Sequence, residues 1–448
     1  SDGRSWVNTG SRGHLSRPVG SVHLSLRLTW SHSAMLTRLI RIFRRLLRSR
    51  IARFLLLTIA VWNIAEVLLV NHRLYNADNA QPDLSRRHER IYIASIHWNN
   101  GPVLRDYWND AVIKLAETIG PENIFVSVFE SGSWDDSKAA LFELDSALDR
   151  IGVRRNITVS DVTHADEIAA PPAEHGWIDT PRGRKELRRI PYLSRLRNIS
   201  LQPMYDLLRE GVTFDRILFL NDVVFTVCDS IPQRMTNDVM TLLNTNHGEY
   251  AAACSLDFSK PPRYYDTFAL RDSDGHKHLM QTWPYFRSSK SRAALKSMSP
   301  VPVKSCWNGM VAMPVGPFIS DPPLEFRGVP DSLAASHVEG SECCLVHADN
   351  PLSKKKGVYL NPKVRVGYSG PAYSAVNPAQ RWLSPREIFL SGWENRFRRL
   401  FTTPMFEDWA IQRIVSKWKS QDKRHEEPGE FCLINEMQVL VWNGWAHV

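Results

Sequence analysis

From residue 91 onward, short apolar blocks alternate with longer stretches of helical periodicity. Residues 91–96 and 124–129 read as buried strands. Between them, 102–119 carries Val103, Leu104, Tyr107, Trp108, Leu115 and Ile119 at helical spacing and stops at Gly120 and Pro121. A polar loop at 130–136 leads to a second helix marked by Leu141, Leu144, Leu148 and Ile151, and Ser133 with Asp136 has the spacing of a capping box. Residues 156–159 predict a third strand and 193–208 a helix. Four apolar residues in a row at 217–220 predict a strand buried on both faces. Strands alternating with helices imply right-handed βαβ units and a mostly parallel sheet.

The pattern changes in the second half. It is rich in Pro, Trp and Gly, with short apolar pieces at 309–313 and 358–360. That predicts long loops and short strands at the sheet edge, where binding loops belong. Residues 383–418 contain helical stretches, and the last thirty residues give no usable pattern.

Ahead of the α/β region lies an apolar run at 54–70, near the lower length limit for a membrane span and interrupted by Asn63 and Glu66. Arg38, Arg41, Arg44, Arg45, Arg48, Arg50 and Arg53 flank it on the N-terminal side only, and no small-residue cleavage site follows. The positive-inside rule then gives a cytosolic tail (1–53), a signal-anchor (54–70), a polar stem (71–90) and a lumenal body (91–448). An Arg- and Ser-rich, acid-poor start also fits a mitochondrial presequence, and 39–52 also fits a helix lying on a membrane surface.

Charge sharpens this division. The net charge is +9, but residues 1–53 hold eleven Arg, no Lys and one acid, which leaves 45 basic against 46 acidic residues for the rest. The body has no basic excess of the kind a nucleic-acid-binding domain needs, so no nucleic-acid partner is expected. Six cysteines without a Cys-x-x-Cys pair speak against a zinc site. Adjacent Cys343 and Cys344 are expected to face different partners or a packed core. Sequons at Asn156 and Asn198 are compatible with a lumenal body.

The most informative chemistry stands at 221–222, where Asn221 and Asp222 follow the buried strand. In open α/β sheets, ligands bind outside the carboxyl ends of the strands. Neither a dinucleotide fingerprint nor a P-loop is present. A carboxylate here is a hard oxygen ligand for a divalent cation on a phosphorylated ligand; the plain structural alternative is a turn cap.

Several segments together resemble the fungal α-1,3-mannosyltransferase family that includes the cryptococcal capsule-associated proteins. They include Glu130-Ser-Gly-Ser-Trp-Asp-Asp-Ser-Lys138, Tyr192-Leu-Ser-Arg-Leu-Arg-Asn198, Ile217-Leu-Phe-Leu-Asn-Asp222, Cys254-Ser-Leu-Asp-Phe258 and Tyr265-Asp-Thr267. Further on come Ser305-Cys-Trp-Asn-Gly-Met310, Phe326-Arg-Gly-Val-Pro-Asp-Ser332, Glu339-Gly-Ser-Glu-Cys-Cys344 and Asn361-Pro-Lys-Val-Arg-Val-Gly367. The resemblance implies a GT-A-like α/β fold, with a nucleotide-sugar-binding half (91–230) and an acceptor-side half (231–448). It also implies a type II Golgi membrane enzyme that uses GDP-mannose, a glycan acceptor and Mn²⁺ or another divalent cation. The usual Asp-x-Asp of that fold reads Asn221-Asp222-Val223 here, with one acid.

Roles follow from the chemistry of glycosyl transfer, which requires charge neutralised on the leaving diphosphate. Asp222 is the expected metal ligand, with His347 or a later acidic loop as a second. Arg197 is expected at the phosphates, with Glu130, Ser131 and Asn221 around the nucleotide sugar. Retention of an α linkage calls for a front-face route or a carboxylate nucleophile, and Asp257, Glu339 and Glu342 are the candidates. Trp307 and Asn308 are expected at the sugar or acceptor. Each has a structural alternative: a surface charge for Arg197, a hydrogen-bonded buried acid for the carboxylates, a core position for Trp307. A noncatalytic lectin-like or scaffold protein is the rival from another class, and a glycosidase is a third.

Overall fold

A computed structural model describes residues 49–79, 88–227, 237–378 and 381–448. The chain forms two compact units, Ser1–Glu66 and Val67–Val448. Helix α1 (Arg50–Asp78) is long and apolar enough to cross a membrane. In the first unit its side chains are largely exposed, among them Ile51, Phe54 and Leu57. Arg38, Arg41, Arg44, Arg45 and Arg48 lie outside the described residues. In the second unit, Leu74 is buried and Asp78 accepts a 2.6 Å bond from Arg365. Residues 71–78, expected as a polar stem, are therefore helical and tied into the body.

The first part of the body follows the predicted alternation. It comprises β1 (Ile91–His97), α2 (Asn109–Ile119), β2 (Ile124–Glu130), α3 (Ser137–Arg150), β3 (Arg154–Val159), α4 (His164–Ala169), α5 (Arg189–Arg209) and β4 (Arg216–Leu220). The second part contributes β5 (Ala252–Lys260), β6 (Val301–Ser305), β7 (Met310–Pro314), α6 (Glu342–Asp349) and β8 (Val358–Gly367). It ends with α7 (Pro385–Phe401), α8 (Met405–Lys419) and a hairpin of β9 (Gln438–Val441) and β10 (Gly444–His447).

The central sheet runs β3-β2-β1-β4-β7-β5-β8-β6, with a short strand Arg271–Asp272 at its edge. β3, β2, β1 and β4 are mutually parallel, with Ile91 opposite Ile124 and Arg216. Beyond them the sheet is mixed: β7 is antiparallel to both β4 and β5, while β5 and β8 are parallel. The α/β architecture is as expected: the first half of the sheet is parallel, and the second half is mixed.

Alternation along the strands builds two cores. Ile91, Ile93, Val126, Val128, Leu218 and Leu220 pack with Leu115 of α2 and Leu141, Leu144 and Leu148 of α3. Tyr92, Ala94, Phe125, Ile217 and Phe219 point the other way, onto Leu201, Met204 and Leu207 of α5. Each such fully buried side chain contributes roughly 2 kcal/mol. Covering both faces leaves the carboxyl edge of the parallel strands as the open side.

Three local expectations change. Ser133 and Asp136 form no capping box: the Asp136 side chain, at the N-cap of α3, caps no helix N–H and pairs with Arg105 instead, and the Ser133 hydroxyl accepts the Asn99 N–H at 2.8 Å. Cys254 pairs with Cys306 and Cys344 with Cys432, while Cys343 is a buried thiol, so the adjacent cysteines do face different surroundings. Cys228 lies outside the described residues. Asn198, read as a sequon, uses its amide on both backbone groups of Phe326 (2.8 and 2.9 Å), which makes it a structural clamp.

Candidate functional site

The polar crevice opens where β1, β2 and β4 end. It is a cavity of about 210 Å³ whose lining includes Asn100, Ser131, Arg189, Arg197, Asp222 and Trp445. Asn221 lines it as well, so four of the expected residues converge: Ser131, Arg197, Asn221 and Asp222.

Asp222 is the one acid of that lining. The turn carrying it is pinned on three sides. The Asn221 N–H donates to the Gly309 carbonyl (2.9 Å), Trp108 Nε1 to the Asn221 carbonyl (3.1 Å) and Trp307 Nε1 to Asn221 Oδ1 (3.0 Å). Trp108 ends a π-helical turn, Leu104–Trp108, which aims its indole at the strand end. Asn100, absent from the sequence expectations, accepts the Trp98 N–H (2.8 Å) and donates Nδ2 to Asp222 Oδ2 (2.8 Å). Burial pushes the Asp222 carboxyl up to about 6, against the opposing pull of its hydrogen bonds and of Arg197.

Opposite stands one face of α5. Arg189, Tyr192, Leu193, Leu196 and Arg197 all line the cavity, at the i, i+3, i+4, i+7, i+8 spacing of a helix face. Arg197 is buried, with its guanidinium 4.3 Å from the Trp307 ring centroid and Nε 3.1 Å from Glu342 Oε1. Arg189 lies 3.9 Å from the Trp445 ring centroid and donates to Gln438 Oε1 at 2.5 Å. Burial lowers the Arg189 pKa from its ordinary value. The hairpin β9–β10, which had no readable pattern, thus closes one wall through Leu440, Gly444 and Trp445.

Other expected residues lie behind this wall rather than in it. Glu130 is fully buried and its carboxylate holds the Ser133 N–H, so it shapes the loop after β2. Trp307 is 2 % exposed and supports Asn221 and Arg197 from below; it offers no free stacking face. Asn308, with φ of 53°, is buried and donates Nδ2 to Asp257 Oδ1 at 3.0 Å. Asp257 is enclosed: Oδ1 also accepts the Asp266 N–H (3.1 Å) and Oδ2 the Tyr368 hydroxyl (3.1 Å). Burial, and then the charge of Asp266, pushes Asp257 up to about 7.

Glu342 spends its charge on Arg197. Glu339 is fully buried in a bidentate pair with Arg188 (2.8 Å), which also binds Asp331, and takes no part in the cavity lining. His347 is buried on α6 with Nε2 2.6 Å from the Cys306 carbonyl. Burial lowers its pKa to about 4. The ligand-type atoms nearest it are the Cys254 and Cys306 sulfurs, which are tied up in a disulfide. His347 is therefore no partner for Asp222. Among the described residues, no cluster of three metal-ligating side chains includes Asp222.

A carboxylate at the carboxyl edge of parallel strands, faced by two arginines, is an arrangement that can accept a phosphorylated ligand. A family model described as Cryptococcal mannosyltransferase 1 matches residues 90–349, more than half of the chain. The chain belongs to that family.

It is 23% identical, over 279 residues, to the alpha-1,3-mannosyltransferase CMT1 of Cryptococcus neoformans var. neoformans serotype D. That match covers 58% of this chain and 53% of the relative, so the chain spans about half the length of the curated relative it matches. Among solved structures, the mannosyltransferase PcManGT from Pyrobaculum calidifontis, in complex with GDP-Man and Mn²⁺, is 12% identical. Its TM-score is 0.33, with 83% of this chain and 76% of that one covered. TarS residues 1–349 of S. aureus is 10% identical with a TM-score of 0.34, covering 74% and 82%. Scores at this level carry no argument about ligand or activity.

Proposed function

We propose that this protein is a retaining glycosyltransferase that moves mannose from GDP-mannose to a mannose-containing glycan, forming an α-1,3 linkage. In this reading it works as a single-pass type II protein of the Golgi membrane with its body in the lumen. Family membership supports the transfer of mannose. The observation that carries the mechanism is Asp222 facing Arg189 and Arg197 across one cavity.

The donor diphosphate lies between them in this proposal. Arg197 reaches it as a planar donor held by Glu342 and by the Trp307 ring, so little side-chain freedom is lost on binding. Arg189 adds a second positive charge from the first turn of α5. Ser131 and the loop shaped by Glu130 flank the nucleoside end. Asp222 suits a divalent cation: it is a hard oxygen ligand raised in pKa by burial, and a cation beside it would offset that burial. One protein carboxylate plus donor phosphates is an ordinary ligand set for Mg²⁺ or Mn²⁺. When bound, the cation supplies charge neutralisation on the leaving group.

Asp257, Glu339 and Glu342 do not open onto the cavity, and each carboxylate is already engaged. This favours the front-face route to retention over a carboxylate nucleophile. Asp257, Asn308 and Tyr368 then act as a buried support beneath the turn at Asp222.

The test is turnover by the full chain in detergent, with a panel of GDP- and UDP-sugars, Mn²⁺ or EDTA, and Asp222→Ala beside the wild type. Mn²⁺-dependent transfer from GDP-mannose, lost in the variant, is the expected result. Turnover that survives EDTA and the substitution removes the metal site. Sugar-nucleotide binding without transfer to any acceptor favours the noncatalytic, lectin-like reading.

A further inference from the structure

Helices α7 and α8 bury one face and leave the other apolar. On α7 the inward positions are Ile388, Gly392 and Asn395, with Asn395 Nδ2 donating to the Phe286 carbonyl at 3.2 Å. On α8 they are Ile411, Val415 and Trp418, which join the cluster containing Val329 and Leu333. Both helices are therefore docked. Yet Leu390, Phe397, Leu400, Phe401, Phe406 and Trp409 are each more than half exposed, Phe406 at 82 %. Phe397 stacks on Phe401 with ring centroids 6.3 Å apart, which extends a ridge along the outside of α7. A solvated helix puts polar residues there, and large apolar side chains exposed along a helix face mark an interaction site.

The charge around the ridge is net positive. Residues 385–419 hold seven Arg or Lys against four Asp or Glu, whereas the chain beyond residue 53 is close to neutral. The neighbouring segment 287–296 adds Arg287, Lys290, Arg292 and Lys296 and no acid. It is joined to α7 through Arg287, which donates to the Thr402 carbonyl (3.1 Å) and hydroxyl (2.9 Å). Burial, then the charges of Arg399, Arg287 and Arg396, lowers Arg292 to about 10. Burial, then Arg396 and Arg287, also lowers Arg399. Asp272 is the acid that faces Arg292, and Glu394 pairs with Arg398 instead. Clustered guanidiniums beside exposed Phe, Leu and Trp match a surface that is anionic outside and apolar just beneath, as lipid headgroups over acyl chains are.

We infer that the outer faces of α7 and α8 seat on an anionic lipid bilayer, with the apolar ridge in the headgroup–acyl boundary and the arginines on lipid phosphates. This surface is separate from the cavity lining and independent of the proposed reaction, but it requires an anionic leaflet on the side of the membrane where the body lies.

The test places an NBD fluorophore at Leu400→Cys in the full chain with Cys228→Ser. Vesicles contain phosphatidylcholine alone or with phosphatidylserine, and their acyl chains are brominated. The probe reports its own surroundings, whatever α1 does in the same vesicle. We expect quenching of about two-fold or more in the phosphatidylserine vesicles only, relieved at ~1 M salt, where the Debye length is about 3 Å. Arg396→Glu with Arg399→Glu lowers partitioning of the probe at least about ten-fold. Phe401→Ser with Phe406→Ser, exposed changes that keep the near-UV circular dichroism, also lowers quenching. Equal quenching in both vesicles, or none in either, overturns the proposal. A spectral shift that depends on protein concentration without lipid overturns it too, by assigning the face to a second copy.

Discussion

Asp222→Asn is expected to make the protein more stable while removing its proposed function. In the folded chain burial holds the carboxyl near 6, against an ordinary value of 3.8. A raised carboxylate pKa means that the fold favours the protonated form. Stability is therefore highest below the ordinary value and is lost as pH rises through about 6. At ~1.4 kcal/mol per tenfold change in proton affinity, the ceiling at neutral pH is about 3 kcal/mol. The carboxylate is only partly buried by surface exposure, and about 2 kcal/mol is the discounted expectation. Asn is neutral, nearly isosteric, and still accepts the bond from Asn100. For a body of this size that is a rise of about 2–3 °C in melting temperature. The assay is differential scanning calorimetry in EDTA at neutral pH and near pH 4, where the difference shrinks toward zero. With Mn²⁺ and GDP the order reverses, since only the wild type gains from the ligand. A melting temperature that is unchanged or lower in the variant at neutral pH, or a gain that persists near pH 4, refutes the reasoning.

Glu342→Gln leaves Arg197 buried without its carboxylate and is expected to cost about 3 kcal/mol in urea unfolding; a loss below about 1 kcal/mol means solvent already serves the guanidinium. Arg197→Lys keeps the charge but gives up the planar stack on Trp307 and the Nε bond, so GDP-mannose affinity by calorimetric titration should fall about ten-fold. Gly309→Ala places a Cβ 2.7 Å from Val366 Cγ2 at φ of +89°, with an expected loss of about 2–3 kcal/mol in thermal unfolding and a displaced Asn221. Cys344→Ser with Cys432→Ser opens a loop closed over 88 residues and should cost about 4.6 kcal/mol by chain entropy, read as the change in denaturant midpoint.

The first half of the fold was legible because its signals are local. Four buried apolar residues at 217–220 predicted β4 within one residue of its observed start, and Asn221 and Asp222 fell at its end as expected. The βαβ order came from periodicities of the same short range. Depth was not legible. Asp257, Asn308, Trp307 and Glu342 are near the cavity but beneath its lining, and a sequence of polar residues at strand ends looks alike whether it faces solvent or a neighbour. Glu339 was misplaced because its partner, Arg188, is 151 positions away. Arg189 had a findable signal, since it lies eight residues before Arg197 on one amphipathic helix. The hairpin wall had none: its bond from Arg189 to Gln438 spans 249 positions, and two four-residue strands carry too little pattern.

The two halves of the body divide the work at the site. The parallel strands supply the acid, since Asp222 sits on a turn whose place is set by β4. The arginines belong to α5, but their orientation is set from the second half: Glu342 and Trp307 hold Arg197, and Gln438 and Trp445 hold Arg189. Glu342 lies on α6, next to the Cys344–Cys432 bridge, which joins α6 to the segment leading into the hairpin. One covalent link thus ties the supports of both arginines together. A site with a single solvent-facing acid depends on cationic groups fixed in advance, because mobile arginines would spend binding energy on their own ordering. The second half would therefore act on the proposed donor through position, without placing a carboxylate of its own in the cavity wall.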